Sequence, residues 1–387
     1  MNTKELDNQY VAHSYGRFDV CLQKGKGSTL YDEYGKEYID FGSGIGVTAF
    51  GICDEEWKQA VTNQLNQLQH TSNLYYTQPC ARLAQLLCER SGMKKVFFGN
   101  SGAEANEGAI KFARKYSYDK YGEGRSTIIT MTDSFHGRTI TTLAATGQDE
   151  FHTDFGPFTD GFIYCRTNDI EHLRQLVTDD VCAIMFECIQ GEGGVNDLSQ
   201  EFVAEIERTA KAKDILMIVD EVQTGNGRTG TYFAYQNYGI SPDIVSTAKG
   251  LAGGLPMGAV LFGDKVADCV TYGSHGSTFG GNPIAAAGAI SIVERIDDGF
   301  LREVKEKSEY IISAIKEMKN VESISGKGLM LGISTTKNAG DIAKECLQDG
   351  LLVLTAHKNK VRLLPALNIS YNEIDKGLKI LKEVIEK

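Results

Sequence analysis

One repeated unit constrains this chain more than any other feature: a short, β-rich apolar run that stops at glycine or an acid, followed by an amphipathic stretch. Such runs occupy residues 95–98, 127–131, 182–186, 215–219 and 244–246, and helical patterns fill 103–118 and 200–212 between them. Strand-like runs alternating with helices predict βαβ units, and therefore an α/β fold with a mainly parallel sheet covered on both faces. This large unit spans residues 55–298. Residues 299–387 open with a charged helical stretch at 301–320 and carry strand-like runs at 328–334 and 351–354, which predicts a smaller α+β domain. Residues 1–54 form an N-terminal segment in which Asp32-Glu33-Tyr34-Gly35 suits a hairpin turn.

Composition narrows the function classes. Apolar residues make up 42% of the 387, too many for a disordered chain, and the 42 glycines show no three-residue period. Forty Lys and Arg against fifty-one Asp and Glu leave a net charge of −11, which argues against nucleic acid as a partner. No apolar run reaches the roughly 18 residues that cross a bilayer, so no membrane partner is expected. The polar N-terminus lacks the apolar core of a signal peptide, and a cytoplasmic protein is expected. Nine cysteines without a C-x-x-C pair, and seven histidines without H-x-x-x-H spacing, predict reduced thiols and no protein-held metal.

Three segments carry chemistry. At 96–106 a strand runs into Gly99-Asn100-Ser101-Gly102 and a helix begins near Ala103. Free N–H groups at a helix start and the Ser101 hydroxyl suit a phosphate, with Gly102 permitting close approach. Taken alone, these residues are better explained by an ordinary serine cap. The run at 215–219 ends in Asp220, where open parallel sheets present ligands, and a carboxylate there can keep a heteroaromatic nitrogen protonated. Capping of the next element is the competing explanation. Lys249 ends a third apolar run and precedes the glycine-rich stretch at 250–258. Partial desolvation would lower its pKa and free it for Schiff-base chemistry, although a lone strand-end lysine is more often a surface charge. A phosphate cup, a partner for a pyridinium and a Schiff-base lysine together describe a site for pyridoxal 5′-phosphate.

Asn100-Ser-Gly-Ala-Glu-Ala-Asn-Glu107, Ser134-Phe-His-Gly-Arg138, Gln190-Gly-Glu-Gly-Gly-Val195, the stretch from Asp220 to Gly230, Ala248-Lys-Gly250 and Thr278-Phe-Gly-Gly-Asn-Pro283 resemble the motifs of class III pyridoxal-phosphate aminotransferases. The resemblance continues through residues 326–332 and 361–365 and spans nearly the whole chain. It implies a fold-type I subunit with a seven-stranded, mostly parallel sheet, a small domain made from both chain ends, and a homodimer with shared active sites. It also implies roles. Ser101, Gly102 and Ala103 would hold the phosphate, joined by Thr278 of a neighbouring subunit, whose Ser277 would face the substrate. Phe135 would stack on the pyridine ring, Gln223 would bond its phenolic oxygen, and Glu221 and Val222 would complete the cofactor site beside Asp220 and Lys249. Arg138 would clamp a substrate carboxylate, and Glu192 would pair with Arg362 as a switch between two substrates.

Within the family the chain is most similar to the acetylornithine aminotransferase branch, which implies transfer of an ω-amino group from N-acetylornithine to 2-oxoglutarate in arginine biosynthesis. Ile45 stands where ornithine aminotransferases carry a substrate-contacting tyrosine. Gly51-Ile-Cys-Asp54 departs from the Gly-His-x-His usual near this point. Ornithine, succinyl-diaminopimelate, succinyl-ornithine and 4-aminobutyrate are competing donors. An aminomutase or decarboxylase on the same scaffold, or a cofactor-binding interaction module, are the readings from other classes.

Overall fold

The computed structural model describes residues 1–357 and 359–387. A seven-stranded sheet organises the molecule. Its strands, numbered here in chain order, are β1 (Lys95–Gly99), β2 (Thr127–Met131), β3 (Phe162–Cys165), β4 (Val181–Phe186), β5 (Leu216–Asp220), β6 (Ile244–Thr247) and β7 (Gly258–Phe262). They lie side by side as β1-β7-β6-β5-β4-β2-β3. Only β7 runs against its neighbours; the other pairings are parallel.

Alternation along the strands explains why both faces are covered. Met217 and Val219 of β5 join one buried cluster, with Phe202 and Ile206 of the helix Gln200–Lys213. Leu216 and Ile218 point the other way, into a cluster with Ala105, Ala109 and Phe112 of the helix Gly102–Tyr121. A strand buried on both faces must be apolar throughout, which is what the 215–219 run shows. By the same alternation Asp220 turns toward the helix Gly102–Tyr121.

The chain ends build two further sheets. Leu22–Lys26, Thr29–Asp32 and Glu37–Asp40 form an antiparallel set, turning at residues 33–36, and Leu351–Leu352 pairs in parallel with Glu37–Asp40. Val321–Lys327, Met330–Thr335, Lys360–Leu363 and Leu354–Ala356 form an antiparallel sheet. The strand-like run at 328–334 is therefore the second arm of a hairpin, and the run at 351–354 divides at Val353 between two sheets. Arg228, in the loop that follows β5, reaches the second of these sheets by donating from Nη1 to the carbonyls of Leu329 and Pro365; burial lowers its pKa to about 9.

The segment Gly51–Asp54 has a structural task. The Asp54 carboxylate caps the helix Glu55–Leu65 at the Trp57 N–H (2.9 Å) and pairs with Arg295 at 2.7 Å. A Cβ at Gly51 would stand 2.7 Å from the Gly27 carbonyl oxygen.

Candidate active site

The carboxyl ends of β1, β4, β5 and β6 open into one cavity of about 440 Å³. Ser101, Gly102, Ala103, Phe135, Arg138, Glu192, Asp220, Val222, Gln223 and Lys249 all line it. Residues far apart in sequence thus meet where the strand ends place ligands in open α/β sheets.

Asp220 is 3% exposed and its oxygens are held from three sides. Oδ1 accepts the Val222 N–H at 2.9 Å, and Oδ2 accepts from Asn106 Nδ2 at 2.7 Å and His136 Nδ1 at 2.8 Å. Because a carboxylate only accepts, His136 carries its proton on Nδ1. Asn106 also donates to the His136 carbonyl at 2.7 Å, so the three residues form a closed unit.

Lys249 follows β6 with φ +45°, a left-handed conformation rarely adopted by residues other than glycine. Burial lowers the pKa of its amine, and the positive charge of Arg362 adds to the effect; Asp220, Glu187 and Glu192 oppose it, leaving a value of about 8. About a tenth to a fifth of this amine is therefore neutral near physiological pH, where its ordinary value would leave almost none.

At the start of the helix Gly102–Tyr121, Ser101 caps the Glu104 N–H at 3.2 Å. The capping explanation is thus true of its side chain, yet the N–H groups of Gly102 and Ala103 have no partner among the described residues. These orphan donors fit an anion at the helix start. Gly102 is required for packing as well, since a Cβ there would lie 2.6 Å from Val222 Cγ1.

Arg362, in Lys360–Leu363, is buried and reaches the same region. Its Nη1 donates to the Gly191 carbonyl (3.0 Å) and Gln223 Oε1 (3.2 Å), and its Nη2 lies 3.2 Å from Glu192 Oε2. Desolvation lowers its pKa and Glu192 opposes that shift. Arg138 stands exposed at the cavity, with its guanidinium over the rings of Phe151 and Phe135.

Other residues named from the sequence do not line this cavity, Ser277 and Thr278 being expected at a neighbouring subunit's site. Glu221 is fully buried behind the cavity, accepting from Thr224 Oγ1 (2.6 Å) and the Tyr235 N–H (2.8 Å), and burial raises its pKa to about 7. Ser277 accepts from Asn100 Nδ2 (3.2 Å) and the Gly280 N–H (2.9 Å), and neither it nor Thr278 lines this cavity. Ile45, at φ +67° and 46% exposed, stays out of the lining, where Val47 appears instead.

Sequence reasoning missed Asn106, His136 and Glu187. Glu187 follows β4 as Asp220 ends β5, so the same strand-end acid signal was available. It accepts the N–H groups of Phe135 (3.1 Å) and Gly191 (3.3 Å), joining two loops of the site, and burial raises its pKa. Asn106 is a polar residue on the inward face of its helix, among Ala105, Ala109 and Ile110.

Known proteins match this arrangement over its full length. Residues 10–385 fit the aminotransferase class-III family model, and the chain belongs to that family. It is 50% identical to the acetylornithine aminotransferase of Haemophilus ducreyi, over 99% of this chain and 98% of that one. The enzyme of the same name from Aquifex aeolicus is 42% identical over 97% of this chain and all of its own. Among solved structures, the N-acetylornithine aminotransferase of Stenotrophomonas maltophilia superposes with a TM-score of 0.86 at 35% identity, covering 98% of both chains. The ornithine aminotransferase of Toxoplasma gondii, described with partial occupancy of PLP (pyridoxal 5′-phosphate) at its active site, superposes at 0.94 with 29% identity, covering 99% of this chain and 93% of that one.

Proposed function

We propose that this protein is a pyridoxal-phosphate-dependent transaminase that moves the ω-amino group of N-acetyl-L-ornithine to 2-oxoglutarate, giving N-acetylglutamate 5-semialdehyde and L-glutamate, a step of arginine biosynthesis. The observation that carries the reading is the meeting of Asp220, Lys249 and the Gly102–Ala103 donors in one cavity. That donor set fits the cofactor: an acid for its ring nitrogen, an amine of lowered pKa for its carbonyl, and unpaired N–H groups for its phosphate.

The bound cofactor supplies an electron sink for the carbanion left when the substrate carbon loses its proton. The protein's residues supply the rest. Asp220, fixed by Val222, Asn106 and His136, keeps the ring nitrogen protonated. Lys249 Nζ, about half neutral near pH 8, would take the proton from the substrate carbon as base and pass it, as acid, to the cofactor's former carbonyl carbon. Phe135 would present an aromatic face to the ring, and Gln223, whose Oε1 is engaged by Arg362, has no partner for its amide N–H among the described residues and would offer it to the phenolic oxygen. Arg138 has both edges of its guanidinium available to the α-carboxylate of acetylornithine. Glu192 neutralises Arg362 while acetylornithine is bound and releases it for the α-carboxylate of glutamate.

The reading extends to assembly. Residues 55–298 form the cofactor domain, and 1–54 pack with the small domain, 299–387. The protein works as a cytoplasmic homodimer in which Ser277 and Thr278 serve the partner's site. A panel of amine donors assayed for glutamate formation from 2-oxoglutarate tests the function. Acetylornithine should show the highest kcat/KM. A tenfold preference for ornithine or 4-aminobutyrate overturns the substrate, and absence of glutamate with every donor overturns the transaminase.

A further inference from the structure

Arg138 has no carboxylate or carbonyl partner among the described residues, yet it is held. Its guanidinium carbon lies 4.1 Å from the centroid of the Phe151 ring and 5.5 Å from that of Phe135. The two rings meet edge to face, with centroids 6.1 Å apart and planes at 73°. Phe151 belongs to none of the hydrophobic clusters of the core. Its ring contacts serve the site's loop instead.

The local structure delivers that ring to a fixed place. Phe151 ends a single 3-10 turn, Asp149–Phe151. The segment before this turn is laced to the loop of Phe135 and Arg138. The Asp133 N–H bonds the Gly147 carbonyl (2.7 Å), the Gly147 N–H bonds Ser134 Oγ (3.0 Å), and Gln148 Nε2 bonds the Ser134 carbonyl (3.0 Å). The His136 N–H adds a bond to Thr146 Oγ1 at 3.0 Å.

A guanidinium that lies over an aromatic ring uses its face and keeps its in-plane N–H groups for a planar carboxylate. We propose that Phe151 is a positioning residue for substrate selection: it holds Arg138 by the face, with the fork of N–H groups ready for the α-carboxylate of the amino donor. Its edge contact with Phe135 ties this clamp to the ring that faces the cofactor. The inference rests on the reading of Arg138 as the substrate clamp, and the test separates the two.

Steady-state kinetics on the holoenzyme, with N-acetylornithine and 2-oxoglutarate, compare Phe151→Leu, Phe151→Met, Phe151→Tyr, Arg138→Ala and Arg138→Ala combined with Phe151→Leu. Bound cofactor is followed by its absorbance. Phe151→Leu and Phe151→Met should each lower kcat/KM for acetylornithine about tenfold, through KM rather than kcat, with cofactor retained. Phe151→Tyr, which keeps the ring, should restore it. In the Arg138→Ala background Phe151→Leu should cost nothing further. Losses that fall on kcat, that come with cofactor release, or that add fully to those of Arg138→Ala overturn the proposal. Unchanged KM in both aliphatic variants while Arg138→Ala raises it overturns Phe151's role alone. Unchanged KM in Arg138→Ala overturns the clamp itself and this inference with it.

Discussion

Asp220 and Arg138 line the same cavity, but they are held in different ways. Asp220 ends a strand buried on both faces, and donors from Val222, Asn106 and His136 fix its carboxylate. Arg138 stands exposed on a loop, steadied by aromatic faces with its hydrogen-bonding edges open. Glu192 belongs with Arg138: its side chain is 38% exposed, and its ion pair to Arg362 is 3.2 Å long. On the proposed roles, the difference follows the work. A charge needed identically in both half-reactions gains from a rigid setting, where electrostatic stabilisation needs no reorganisation. A charge that must tell one substrate from another needs a partner it can release, and loops provide that.

The comparison can be broken first at its rigid side. Lys249→Ala should lower turnover at least about 10⁴-fold, since one residue supplies both the cofactor attachment and the proton transfer. Cofactor should still bind through the Gly102–Ala103 donors, and equilibrium binding with single-turnover rates would register both. Asp220→Asn keeps the shape but cannot hold a proton on the ring nitrogen. It should cost about 3 kcal/mol of transition-state stabilisation, and near-normal single-turnover transamination would remove Asp220 from that role.

At the loop side effects should be smaller and selective. Glu192→Ala frees Arg362 and should shift the ratio of half-reaction rates about tenfold toward glutamate, roughly 1.4 kcal/mol. An unchanged ratio would make the pair a fixed structural bridge. The smallest effect belongs outside the cavity: Asp54→Ala removes a helix cap and the nearer of two carboxylates paired with Arg295. It should lower unfolding stability by about 1–2 kcal/mol with kcat unchanged, as denaturant titration and steady-state rates would reveal.

The same division governs what could be read from sequence. The strands β2, β4, β5 and β6 were legible because buried parallel strands are short, apolar and β-branched, and Asp220 and Lys249 were legible as charged residues at or just past strand ends, which the structure brings to one cavity. Gly258–Phe262 was passed over because it directly follows a glycine-rich stretch, and the run at 351–354 read as one strand because nothing local marks the division at Val353. His136 and Asn106 escaped because their roles are purely tertiary: they reach Asp220 across 84 and 114 residues of chain. Ser101 teaches a different lesson, since a side-chain cap and unpartnered N–H groups are rival readings in a sequence argument but occur together at this helix start among the described residues.

Cofactor attachment tests the account at its centre. Cofactor-free protein is mixed with pyridoxal phosphate across a pH series, trapped with borohydride, digested and mapped. The account predicts label on Lys249, with a rate that rises with pH and is half-maximal near pH 8, because burial and Arg362 favour the neutral amine. Label on another lysine, or a midpoint near the ordinary lysine value of 10.5, would contradict it.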